Sequence, residues 1–122
     1  MNALEISREE FEQLCERALR MAAEYLAGLS SRPTFPATSG EQTQEIFSQP
    51  WTDQGSGPAA LEAMKQVFDH SRPPSPRFFG YVFGSGDPVA AIGDLLASVL
   101  NQNVTAWRSA PAAVTIERTV VS

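Results

Sequence analysis

The segment from Ile6 to Leu29, ISREEFEQLCERALRMAAEYLAGL, has the apolar periodicity of a long helix. Ser7 and Glu10 have the spacing of a capping box that would begin this helix. The apolar stripe steps by four and three along about six turns and comprises Phe11, Cys15, Ala18, Ala22, Tyr25 and Leu29. Because an amphipathic helix depends on packing for its stability, we expect this stripe to meet a partner surface.

Prolines and a capping residue predict two further helices. Pro58 begins a second helix, which ends before the proline cluster at 73–76. Asp87 and Pro88 supply the N-cap and first turn of a third helix, which extends to Leu100 and is apolar on nearly every side. A helix with so little polar surface is normally buried, so we expect it to lie inside a larger body.

A fourth helical pattern begins at Pro111 and is interrupted by the end of the sequence at Ser122. Amphipathic helices seldom stop after about three turns without an end signal. We therefore expect the chain to be a shortened piece of a longer protein.

The segment 30–57 lacks any regular period and is predicted to be a long loop. Pro33, Pro36 and Pro50 interrupt it among polar residues and glycines. Loops of this length are uncommon in compact domains, which suggests a connection that crosses another surface. Its candidate anchors are Phe35, Ile46, Phe47 and Trp51.

Composition excludes several classes of function. The chain has 122 residues and a formal net charge of -5, which disfavours nucleic acid or an anionic membrane as its main partner. Neither a signal peptide nor a transmembrane helix can be drawn near the N-terminus. Cys15 is the only cysteine and His70 the only histidine, so no disulfide and no metal-ligand spacing is present. We expect a cytoplasmic protein without a bound metal.

Three short segments, in order, carry a resemblance to a known family. They are RPTFP at 32–36, PRFFGY at 76–81 and WRSAPA at 107–112. With the helices between them, they resemble the group II pyridoxal-phosphate (PLP) decarboxylases, which act on aromatic amino acids, histidine and glutamate. The second segment is similar to the family's His-Pro-x-Phe stretch. The third, followed by Glu117, is similar to its Trp-x-x-Ser-Pro-Ala...Glu motif, with Ala110 in place of the Ser.

The resemblance implies a fold and a division of the chain. The fold is the mainly α, N-terminal helical segment of a fold-type I PLP enzyme, truncated before the α/β cofactor domain. Residues 1–75 would form a helical segment that is exchanged between the subunits of a homodimer, with the loop 30–57 crossing between them. Residues 76–122 would be the incomplete start of the large PLP domain.

The resemblance also implies four substrate-binding residues. Tyr81 matches an aromatic segment that lines the family's pocket, and Phe83 lies near a position where the family usually has Pro. For both residues, the alternative is an ordinary role in the core or in an interface. Asn103 and Thr105 match positions where aromatic-specific members present apolar side chains. Because both are polar here, a substrate with a polar or charged side chain is favoured. Ser75 replaces the family's His.

No catalytic or cofactor-binding residue is carried over to this chain. The family uses a lysine for the internal aldimine, an aspartate at the pyridine nitrogen and a histidine over the ring, while the cofactor itself stabilises the carbanion. Lys65 is the only lysine here and precedes the expected cofactor domain, and His70 is predicted to lie near a helix end. The isolated chain should therefore be inactive as an amino-acid decarboxylase.

A function of a different class accounts for part of the same pattern. A stand-alone helical module that buries the stripe of the first helix on a partner protein would explain the amphipathic helix and the missing catalytic groups. It gives no account of the segments at 76–81 and 107–112. Gly80, Gly84 and Gly86 do not have the spacing of a phosphate-binding loop and are predicted to form a turn.

Overall fold

The computed structural model describes residues 5–50, 53–80 and 86–122. Every regular element in these ranges is a helix, which confirms the predicted mainly α class. In chain order the elements are α1 (Arg8–Gly28), α2 (Gly40–Phe47), a 3₁₀ turn (Gly57–Ala59), α3 (Ala60–His70), α4 (Pro88–Leu100) and α5 (Pro111–Val121). The chain divides into two compact units, Met1–Gly84 and Ser85–Ser122.

Helix α1 begins at the predicted capping box. The Ser7 hydroxyl accepts a hydrogen bond from the Glu10 backbone N–H at 3.1 Å, and the Glu10 carboxylate accepts one from the Ser7 N–H at 2.8 Å. These bonds satisfy two backbone donors that a helix otherwise leaves open at its N-terminus. The bond from the Ser7 backbone, followed by that from its side chain, lowers the pKa of Glu10. Local chemistry therefore determines where α1 starts.

The prediction of a loop over 30–57 was wrong at its centre, where eight residues form α2. The helix is capped in the same way as α1: the Ser39 hydroxyl accepts from the Gln42 N–H at 3.2 Å, and the Gln42 side chain accepts from the Ser39 N–H at 2.9 Å. The Ser-x-x-Gln spacing was the available signal. The surrounding prolines obscured it because α2 lies entirely between Pro36 and Pro50.

The predicted second helix is confirmed as α3 with its 3₁₀ lead-in. Gly57 has a φ of 53°, a left-handed conformation that favours glycine, and Pro58 follows in the first turn. The helix ends at His70, and Ser71 is extended, two residues before the proline cluster begins at Pro73.

Helix α1 meets α3 along one side. The Tyr25 and Phe68 rings stack with centroids 4.7 Å apart, and Arg17 forms an ion pair with Glu62. The rest of the predicted stripe is less covered, since Phe11 is 43% exposed and the adjoining Leu19 is 49% exposed. Helix α3 therefore supplies only part of the partner surface that α1 requires.

The predicted third helix is confirmed as α4. The Asp87 carboxylate accepts a hydrogen bond from the Val89 N–H at 2.8 Å, and Asn101, in the left-handed region with a φ of 46°, ends the helix. Apolar side chains on α4 are widely exposed, with Leu96 at 63% and Leu100 at 64%. The surface that we expected inside a larger body is uncovered in this chain.

The predicted fourth helix is confirmed as α5, which Pro111 opens. Ala110 just before it and Val114 in its first turns are buried, at 1% and 6% exposure, while Val120 near its end is 78% exposed. None of the helices in the described ranges is long and apolar enough to cross a membrane.

The division between units falls after Gly84, whereas the sequence analysis predicted it after residue 75. The assignment of 76–122 to the start of a PLP domain stays a prediction.

Candidate functional site

Two of the four predicted substrate-binding residues can be located. Tyr81 and Phe83 lie outside the described residues. Asn103 and Thr105 lie in the connection between α4 and α5, and both are exposed. The structure therefore gives a geometry for the polar pair alone.

The connection between α4 and α5 is shaped by its own polar groups. The Asn103 side-chain carbonyl accepts a hydrogen bond from the Thr105 backbone N–H at 3.0 Å, which makes an Asx turn. The hydrogen bonds of the described residues leave the Asn103 amide NH₂ and the Thr105 hydroxyl without a protein partner. These two groups can both donate to a ligand, which is the chemistry expected of a polar pocket wall.

The segment 107–112, which begins with Trp107, continues this connection into α5. The Ala106 carbonyl accepts from the Ser109 N–H at 3.1 Å and from the Ala110 N–H at 3.3 Å, and the Ser109 hydroxyl also donates to it at 3.0 Å. This turn ends at the buried Ala110 and leaves Trp107 58% exposed. The segment that carries the family resemblance is thus a tight turn with an accessible indole.

An arginine between two aromatic rings precedes the Tyr81 segment. The Arg72 guanidinium lies 4.1 Å from the Phe35 ring centroid and 4.7 Å from that of Phe78. The two rings meet edge to face with centroids 6.1 Å apart. Gly80 allows this arrangement, because a Cβ there would come within 3.0 Å of the Phe78 ring. Sequence periodicity missed this cluster, since its members are far apart in the chain.

Ser75, which takes the place of the family's His, has a structural position. It is 5% exposed, its carbonyl accepts from the Phe78 N–H at 3.0 Å, and its N–H donates to the Pro73 carbonyl at 2.8 Å. The hydroxyl also accepts from the Arg77 N–H at 3.3 Å. Ser75 therefore organises the turn that leads into the aromatic segment.

A groove of about 280 Å³ lies between α1 and α3. Its base contains the half-buried Met21, Tyr25 and Phe68. Arg32 closes one end: its guanidinium lies 4.7 Å from the Tyr25 ring centroid and donates to Asp69 at 3.1 Å. The sequence did not indicate this groove, because it is formed by two helices whose facing residues are about forty positions apart.

The rim of the groove is charged. Four cationic residues and three carboxylates line it, namely Arg17, Arg20, Arg32, Lys65, Glu24, Glu62 and Asp69. Ion pairs join Arg17 to Glu62 and Arg32 to Asp69. In the described part of the chain, no ion pair involves Arg20, Lys65 or Glu24. The groove thus has two cations and one carboxylate available to a ligand.

We compared the described ranges with the side-chain groups expected of a metal site and of a PLP site. No cluster of three or more histidine, cysteine or carboxylate side chains occurs there. Lys65 is exposed on α3 beside Arg17 and Arg20. His70 places its ring edge to face with Phe47, with centroids 5.6 Å apart, and its Nδ1 is 2.8 Å from the Gln66 carbonyl oxygen. The structure thus places Lys65 on an exposed surface of α3 and the His70 ring against Phe47.

Comparison with known proteins gives two relatives. No protein-family model matches the chain. It is 28% identical to a protein named tyrosine decarboxylase from Oryza sativa subsp. japonica, over 98% of this chain and 23% of that protein. It is 27% identical to one named aromatic-L-amino-acid decarboxylase from Bacillus atrophaeus, over 98% of this chain and 25% of that protein.

The chain therefore spans about a quarter of the length of the curated relatives that it matches. Both relatives carry the name of an amino-acid decarboxylase, the class that the three segments at 32–36, 76–81 and 107–112 indicated. This agreement confirms the resemblance and relates the chain to the N-terminal part of the group II amino-acid decarboxylases.

Proposed function

We propose that this chain is the N-terminal part of a PLP-dependent carboxy-lyase that removes the carboxylate of an L-amino acid as carbon dioxide. The observation that carries the proposal is the similarity to two decarboxylases over 98% of the chain. A cytoplasmic location is part of the proposal and is supported by the single cysteine.

Cofactor binding belongs, in this proposal, to residues outside this chain. Lys65 is exposed on a helix among other cations and has no described carboxylate as an ion-pair partner. When bound, PLP supplies carbanion stabilisation, and the protein orients the substrate and shapes the pocket. In this proposal, the chain contributes to the wall of the substrate pocket and to the subunit interface.

Expression of the whole open reading frame that contains these codons tests the proposal. The full product should release carbon dioxide from an L-amino acid in the presence of PLP, whereas the 122-residue chain alone should neither do so nor retain PLP through gel filtration. A stop codon after Ser122 with no neighbouring gene for a cofactor domain would contradict the proposal. So would an aldimine absorbance band in the isolated chain that is lost in Lys65→Ala.

A homodimer with intertwined N-terminal helices is proposed for the whole enzyme. Its support is the side of α1 that α3 leaves open, where Phe11, Leu19 and Leu26 are 43%, 49% and 42% exposed. Apolar area of this extent on one helix favours association with a second surface. Light scattering of the full product should give twice the mass of one subunit.

Substrate choice is proposed to depend on Tyr81, Phe83, Asn103 and Thr105. The supporting observation is the pair of donors at 103 and 105 that have no described protein partner. A pocket that hydrogen-bonds its substrate rejects an analogue without the matching group more strongly than an apolar pocket rejects an extra methylene. This favours a substrate with a polar or charged side chain.

The test is a pair of substitutions in the full enzyme. Asn103→Leu with Thr105→Val replaces both polar side chains by apolar ones, and Thr105→Val alone removes the hydroxyl while keeping the turn bond of Asn103. We expect kcat/KM for the native substrate to fall, with a loss of about 0.5–1.5 kcal/mol of transition-state stabilisation for each neutral hydrogen bond removed. The kcat/KM for phenylalanine-like substrates should rise relative to it. Ser109→Ala, in the following turn, is the control. An unchanged substrate ranking would show that these positions do not face the substrate.

A further inference from the structure

The groove between α1 and α3 differs in charge from the rest of the chain. Four of the nine cationic residues but only three of the fourteen acidic residues line it. The groove therefore has a formal charge of +1 on a chain whose net charge is -5. A cationic site on an acidic protein concentrates small anions locally, provided that its charges are not already neutralised by one another.

Two of the four cations remain available. Arg17 and Arg32 are engaged with Glu62 and Asp69, while Arg20 on α1 and Lys65 on α3 have no ion pair among the described residues. A net charge of +1 matches a monoanion. A dianion such as hydrogen phosphate would instead leave the groove with an excess of negative charge beside Glu24.

The base of the groove offers aromatic and thioether side chains to a ligand. The Phe68 and Tyr25 rings stack with centroids 4.7 Å apart, and the Arg32 guanidinium lies 4.7 Å from the Tyr25 ring centroid. Tyr25, Phe68 and Met21 all line the groove, and aromatic rings and thioethers make favourable contacts with an aromatic ligand. The volume of about 280 Å³ is at the lower end of ligand pockets and suits a single ring.

We propose that this groove binds a small aromatic monocarboxylate, with its ring on Met21, Tyr25 and Phe68 and its carboxylate between Arg20 and Lys65. The proposal does not depend on the decarboxylase assignment, because none of these residues belongs to the predicted substrate pocket. Binding would connect α1 to α3 at a site that the ion pairs leave open.

Equilibrium dialysis of the 122-residue chain against three radiolabelled probes tests the proposal. Phenylacetate has the ring and the carboxylate, phenethylamine has the same ring with a positive charge, and acetate has the carboxylate alone. We expect saturable binding of one phenylacetate per chain, weaker binding of acetate and none of phenethylamine. Raising the salt concentration should weaken phenylacetate binding, because both cations are exposed.

Variants assign the binding to the groove. Arg20→Gln and Lys65→Gln should each weaken phenylacetate binding roughly two- to fivefold, the range for partly exposed charge pairs. Glu24→Gln should strengthen it by a similar factor, a gain that a misfolded chain would not show. Arg118→Gln on α5 removes the same charge elsewhere and should have no effect. Equal binding of phenethylamine, absence of saturation, or an equal loss in Arg118→Gln would overturn the proposal.

Discussion

In the unit Met1–Gly84, arginines and aromatic rings join the helices and loops, whereas in the unit Ser85–Ser122 the helices present bare aliphatic side chains. Arg32 and Arg72 each lie over aromatic rings in the first unit, and Tyr25 stacks on Phe68. Among the described residues of the second unit, each side-chain hydrogen bond joins a side chain to a backbone group within four residues.

The difference concerns where stabilising free energy comes from. Ring stacking and charge-to-ring contacts operate inside the first unit and need no further surface. Aliphatic area on α4 contributes only when something covers it. Substitutions in the ring contacts should therefore change the stability of the first unit, whereas substitutions on α4 should change association.

The largest expected effect is on association through α4. Leu96→Glu with Leu100→Glu places two charges one turn apart on its exposed apolar surface. We expect the unmodified chain to form dimers or larger species, and the double variant to shift at least tenfold towards monomer, since burying a leucine contributes about 1.5–3 kcal/mol. Sedimentation velocity over a range of concentrations measures this.

Ser98→Glu in the same helix is the control for added charge, and it should shift the association less than the leucine pair. A wild-type chain that stays monomeric and unfolds in a single cooperative transition would contradict the expectation that α4 drives association. That result would favour a stand-alone interaction module.

The second expected effect is on the stacked rings of the first unit. Phe68→Ala removes the contact with Tyr25 and uncovers part of α1. Because Phe68 is half-buried, we expect a loss of about 2 kcal/mol in the free energy of unfolding, less than the 3–5 kcal/mol typical of a fully buried phenylalanine. Urea unfolding followed by circular dichroism measures it. Gln66→Ala, at an exposed position of α3, should change stability by less than half as much.

A smaller effect is expected at the start of the 3₁₀ turn. Gly57 has a φ of 53°, so Gly57→Ala should cost about 1 kcal/mol through backbone strain. Gly55→Ala is the matched control, because a Cβ at Gly55 meets nothing within 4 Å and its φ is not positive. Equal melting temperatures for the two variants would show that the lead-in of α3 is not strained by a side chain.

The smallest effect is the pH dependence of the α1 cap. Because hydrogen bonds to Ser7 lower the pKa of Glu10 in the folded chain, its stabilisation is fully present above the ordinary glutamate pKa. It is lost as the pH falls through the lowered value. Glu10→Gln should flatten this part of a stability profile measured down to about pH 3. A profile identical to wild type would show that the capping bond does not contribute.

Local signals in the sequence predicted most of the helices. The Ser7–Glu10 box and the Asp87-Pro88 pair fix the starts of α1 and α4 through contacts within three residues, which a linear pattern contains in full. Helix α2 was missed because neighbouring prolines outweighed an equally good box at Ser39. Residues of one turn therefore suffice to predict a helix start.

Contacts between distant segments could not be predicted in this way. The Arg72 cluster joins Phe35 to Phe78, and the groove joins residues of α1 to those of α3. Such pairings depend on how helices and loops fold back, which periodicity does not encode. For the predicted substrate pocket, the family resemblance supplied the positions of Asn103 and Thr105. The residues themselves added only that both side chains are polar.

The Asx turn at Asn103 has an evolutionary consequence. The carbonyl of its side chain fixes the loop backbone, whereas Thr105 contributes only its backbone N–H to the turn. A substitution at 103 thus alters loop shape and surface chemistry together, and a substitution at 105 alters chemistry alone. Loops that keep this turn should have asparagine, aspartate or serine at 103, the residues whose short side chains accept such a bond, whereas relatives with an apolar side chain at 103 must shape the loop without it. A lineage can then change this surface through single codon changes at 105 without rebuilding the loop.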